Sequence, residues 1–91
     1  MAALIEVEKT DDGFTVTVSE GASRTRHQVT ARAADLARLA PGVLPERAIE
    51  AAFRFLLDRE PKESILMRFD LNVIARYFPE FERELAGYLK G

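Results

Sequence analysis

From Phe14 to Ser19 the chain reads Phe-Thr-Val-Thr-Val-Ser, so a strand here turns every apolar side chain to one face and every hydroxyl to the other. A helix would scatter the same residues around its axis. Two neighbouring segments share the pattern. Residues 4–9 set Ile5 and Val7 against Glu6 and Glu8, and residues 23–30 set Thr25, His27 and Val29 against Arg24, Arg26 and Gln28. Asp12 with Gly13, then Glu20-Gly21-Ala22, supply turn chemistry between them. The expectation is a three-stranded antiparallel β-meander over 4–9, 14–19 and 23–30. Such a sheet has one apolar face that something else must cover.

Beyond residue 30 the apolar period changes to that of helices. Thr30 is a plausible N-cap for a helix over 31–40, with Ala33, Leu36, Ala37 and Ala40 on one stripe, and Pro41-Gly42 ends it. Pro45 suits the first position of a second helix over 45–59, whose Ile49, Ala52, Phe53, Leu56 and Leu57 follow helical spacing. Glu50, Arg54 and Asp58 stand four apart on another side of it. Pro61 breaks this helix, and residues 62–69 read as a short helical or irregular connection carrying Ile65, Leu66 and Phe69 inward. Asp70 then looks like the N-cap of a helix over 71–78. Pro79 opens or kinks a last helix over 80–90, with Glu80, Glu82 and Glu84 complementing its dipole. The predicted class is α+β: an N-terminal three-stranded antiparallel β-meander packed against three to four C-terminal α-helices, in one domain of 91 residues.

Composition closes several functional classes. Without cysteine there are no disulfides, thiolate ligands or thiol nucleophiles, and a reducing compartment fits. Thirteen Lys and Arg against fifteen Asp and Glu create no general field to attract nucleic acid or anionic lipid. Charges interrupt every apolar run well before the ~20 residues a membrane span needs. The acidic N-terminus is unlike a secretory signal, so cytoplasm is the expected location and no membrane partner is expected.

The stretch Phe-Arg-Phe-Leu-Leu-Asp-Arg-Glu-Pro-Lys-Glu-Ser-Ile-Leu over 53–66, followed by Phe-Asp-Leu-Asn-Val-Ile-Ala-Arg-Tyr-Phe-Pro-Glu-Phe over 69–81, resembles a family of small uncharacterised bacterial proteins. Those proteins carry it after a short strand-rich beginning, and the resemblance covers 44–81. It implies no activity, cofactor or site for these residues.

Candidate chemistry is sparse. His27 is the only histidine, and none of Ser19, Ser23 or Ser64 sits in a nucleophile-elbow motif, so a half-buried structural histidine is the expectation. Asp11 and Asp12 belong to a turn, and the Glu80 group to a helix start. The five glycines have no phosphate-loop spacing. No catalytic, metal or cofactor-binding residue is assigned, no cofactor is expected, and the chain reads as a protein that is not an enzyme.

Two surfaces remain. Phe53 and Phe55 lie about 200° apart on one helix, so Phe55, with Ala48, Ala51 and Tyr77, is expected to form a second apolar surface for a protein partner or a second copy. On that reading Phe55→Ala weakens association and leaves the fold intact. The alternative is a basic patch of Arg24, Arg26 and Arg32 contacting phosphates, or a loose helix-turn-helix over 62–78 presenting Asn72, Val73, Arg76 and Tyr77. Nucleic acid is the lesser expectation, because Glu80, Glu82 and Glu84 would oppose a phosphate backbone.

Overall fold

The computed structural model describes residues 3–90, and the molecule is α+β. Strands β1 (Leu4–Lys9), β2 (Gly13–Glu20) and β3 (Ser23–Thr30) form the expected antiparallel meander. The period-two pattern is realised on the inner face, where Ile5, Phe14, Val16, Val18, His27 and Val29 are buried. Gly21, at φ 58°, begins the tight turn from β2 to β3. Gly13 does not take a positive φ and serves a different purpose. A Cβ there would collide with the Val29 carbonyl oxygen, so the glycine lets two backbones approach. The preceding turn is closed by Thr10, whose amide donates to the Gly13 carbonyl and whose Oγ1 accepts from the Gly13 amide.

The sheet has four strands where three are expected. β4 (Arg68–Asp70) lies parallel to β3, in the order β1-β2-β3-β4, with Gln28, Val29 and Thr30 beside Arg68, Phe69 and Asp70. Backbone bonds from the Gln28 amide to Met67 O and from the Leu71 amide to Thr30 O bracket the pairing. Thr30 Oγ1 also donates to Asp70 Oδ2 at 2.8 Å. Thr30 therefore joins strands and does not cap a helix.

Four helices follow the outline of the expectation with shorter limits: α1 (Ala33–Leu39), α2 (Pro45–Leu57), α3 (Val73–Tyr77) and α4 (Phe81–Leu89). The stripe expected on α1 is displaced: Ala33 and Ala37 are exposed, while Asp35 is buried and accepts from Asn72 Nδ2 at 3.0 Å. Asp70 holds the turn ahead of α3 by accepting from the Asn72 amide, so that helix starts later than expected. Pro79 separates α3 from α4. Residues 62–64 form a single 3-10 turn, which with β4 rules out a helix-turn-helix over 62–78.

α2 lies between the sheet and α4, packing on both. Phe53 faces the sheet, its ring 5.3 Å from that of His27 and 6.0 Å from that of Phe69. Phe55 points the other way, with ring centroids of Phe81, Tyr88 and Phe78 at 5.1, 5.8 and 5.9 Å. Both rings are buried, as are Ala48 and Ala51. The expected outer surface of Phe55, Ala48 and Ala51 is therefore interior. A helix apolar on opposite sides is satisfied here by a second layer within the same chain.

Candidate functional site

The site begins where α2 ends. Pro61 follows Glu60, and the Ser64 amide donates to Pro61 O while Ile65 donates to Lys62 O, forming one tight turn. Lys62 is buried and anchors this turn to the β2–β3 hairpin, its Nζ lying 3.2 Å from Glu20 and 2.8 Å from Glu63. The contact to Glu63, with that to Glu20, holds the ammonium above the usual lysine range against the cost of desolvation.

The next residues are tied to the sheet by their backbones. His27 Nδ1 lies 2.8 Å from the Leu66 carbonyl, which can only accept, so that nitrogen carries the proton. In the neutral ring, Nε2 then accepts from the Thr25 hydroxyl at 2.8 Å. His27 is fully buried, a structural histidine with both nitrogens occupied, and no serine bonds to it. The Met67 carbonyl is held by the Gln28 amide. With these carbonyls turned to the sheet, the side chains of Leu66 and Met67 face water, 49% and 72% exposed. Leu66 thus points outward, contrary to expectation, whereas Ile65 and Phe69 point inward as expected.

Leu66 forms one wall of a cleft of about 250 Å³. Its floor comes from Leu56, Ile65, Phe69 and Ile74, and its far wall from Val73, Tyr77 and Phe78 of the α3 region. Tyr77 is 69% exposed beside it. Of the residues expected to form a partner surface, Tyr77 alone is on the outside.

Among the described residues, Glu60 is the one charged side chain lining this cleft. Burial raises its carboxyl above the usual range, and no cation pairs with it among the described residues. Its neighbours in sequence are engaged elsewhere. Lys62 is held by Glu20 and Glu63. Arg59 stacks 3.7 Å above the Phe55 ring and donates to Glu80 Oε2 at 3.0 Å, Glu84 Oε1 at 2.8 Å and the Phe55 carbonyl at 3.2 Å. The Tyr88 hydroxyl is 3.4 Å from Arg59 and itself donates to Asp58. Glu80 and Glu84 thus bind a cation from just beyond the end of α2 as well as starting a helix, and Glu82 meets Arg38 at 2.8 Å. Because ionisation of Glu60 is disfavoured in the folded cleft, the stability it lends is present at low pH and is lost as pH rises through its raised folded value.

The expected basic patch is divided. Arg24 and Arg26 are exposed on the outer sheet face, while Arg32 lies 3.5 Å from Asp35 at the start of α1. Arg68 joins the first two, since its partner in register is Gln28 of the same strand. Among the described residues, no cluster of three or more His, Asp or Glu could hold a metal ion, and no helix is long and apolar enough to cross a membrane. Sequence reasoning missed Glu60 and Leu66, although an acid before Pro61 and two successive large apolar residues, Leu66-Met67, in a connection are visible signals. In comparisons with protein-family models, with curated proteins and with solved structures, nothing matched this chain.

Proposed function

We propose that the protein is a non-enzymatic interaction module that docks an amphipathic segment of a partner protein in the cleft beside Leu66 and Tyr77. The observation that carries this reading is the pair of large apolar side chains left in water around a cavity floored by the core. Covering apolar surface is worth about 25 cal/mol per Å², so a partner that fills this cleft gains where water now stands.

Glu60 sets the partner's chemistry. A lysine or arginine beside the partner's apolar anchor would supply the cation that Arg59 and Lys62, both engaged, do not. Pairing in a partly desolvated cleft strengthens that attraction.

Selection of a randomised displayed peptide library on the protein tests the proposal. The expected peptides combine Leu, Phe or Trp anchors with Lys or Arg, and Tyr77→Asp or Leu66→Asp weakens them by about tenfold or more. Both side chains are exposed, so neither change should shift unfolding by more than about 0.5 kcal/mol. Peptides that bind both variants as tightly as the wild type would end the proposal.

A further inference from the structure

The outer face of the sheet, opposite the helices, carries its own charge pattern. Alternation places Leu4, Glu6 and Glu8 of β1 on it, Thr15, Thr17 and Ser19 of β2 in the middle, and Arg24 and Arg26 on β3. Register aligns these in rows across the strands: Leu4–Ser19–Arg24, then Glu6–Thr17–Arg26. Glu6, Glu8, Arg24 and Arg26 are all exposed, and none forms an ion pair or side-chain hydrogen bond among the described residues. Glu6 is two strand spacings, about 9.5 Å, from Arg26 of its own row, and Glu8 lies in the row Glu8–Thr15–Gln28–Arg68, three spacings from its arginine. An acidic edge and a basic column thus stand side by side without neutralising each other.

We infer that this face is the interface of a symmetric dimer, in which Glu6 of each copy meets Arg26 of the other and Glu8 meets Gln28 beside Arg68. The register selects the symmetry. A twofold axis lying between the two sheets and running along β2 keeps each residue's height along the strand and exchanges the sides. Glu6 of one copy then stands opposite Arg26 of the second, and Leu4 opposite Arg24. An axis running across the strands instead sets β1 on β1, acid against acid. One arrangement is attractive twice over and the other repulsive, which is how charge placement fixes orientation.

Further features fit the same occupant. The central strand offers only short uncharged side chains, which let two sheets approach to about 10 Å. Leu4, 59% exposed on this face, gains cover from the aliphatic stem of the opposing Arg24. Edge-to-edge pairing of two β1 strands is the competing route to a dimer, and it places Glu6 opposite Glu6 or Glu8, a like-charge contact that opposes it. The cleft beside Leu66 lies on the helical side, so this inference stands independently of the docking proposal.

Sedimentation equilibrium of the whole chain tests the dimer. The wild type is expected to be dimeric at low salt and to dissociate at high salt, because exposed charge contacts are screened. The pairs Glu6→Lys with Glu8→Lys, and Arg24→Glu with Arg26→Glu, reverse the charge of the β1 edge or of the β3 column, so that β1 and β3 carry the same sign. Each variant alone is expected to be monomeric, and their equimolar mixture to form a heterodimer. A wild type that stays monomeric at high concentration and low salt overturns the inference, and this arm does not depend on the variants folding. Variants that dimerise alone, or that fold yet fail to associate when mixed, overturn it as well.

Discussion

Truncation of Phe55 to alanine is expected to destabilise the fold by about 3 to 5 kcal/mol, measured by urea unfolding. The ring has no exposed surface and meets three aromatic rings edge-on, joining α2 to α3 and α4. Alanine would leave a void the size of a phenyl ring among Phe78, Phe81 and Tyr88, and would remove the face on which Arg59 stacks. A domain of this size has only about 5 to 14 kcal/mol in total, so the variant would approach the unfolding threshold. A loss below about 1 kcal/mol would show that the ring lies at the surface, as helical spacing alone suggests.

Phe53→Ala is expected to cost a similar amount, about 3 to 5 kcal/mol, through a different part of the molecule. Its ring fills the space between His27 and Phe69, one on β3 and the other on β4. The short parallel pairing of β4 depends on that packing more than on its three residues of ladder. Amide exchange over residues 62–70 should therefore accelerate beyond the change in global stability, whereas in Phe55→Ala it should follow it. Equal costs from two side chains on opposite faces of one helix are the signature of a helix buried on both sides.

The first three strands were legible because their alternation runs for six to eight residues each and is punctuated by turn chemistry. β4 was not, since three residues carry no period and Arg68-Phe69-Asp70 becomes a strand only by lying against β3. The placement of Phe55 failed for a related reason. Helical spacing gives the direction of a side chain, but whether another layer waits there depends on a chain reversal at Pro79 and on where α4 lands. The glutamates at 80 and 84 suited a helix start, yet their cation, Arg59, is more than twenty residues away in sequence.

Leu66 shows a limit of a different kind. Apolar character argues for the interior, but here the backbone decides. Its carbonyl accepts from the buried His27, and the next carbonyl accepts from Gln28, so the side chains turn to water. The buried histidine and the exposed leucine are thus two ends of one hydrogen bond. This couples the sole histidine to the rim of the cleft without giving it chemistry to perform.

Amide chemical-shift mapping with a library-selected amphipathic peptide tests the claim that this cleft is where the protein acts. Shifts concentrated at Glu60, residues 64–66 and residues 73–78, with a weaker response in Glu60→Gln, are the predicted result. Shifts centred on the outer sheet face, or an undiminished response in the Leu66→Asp variant, would contradict it.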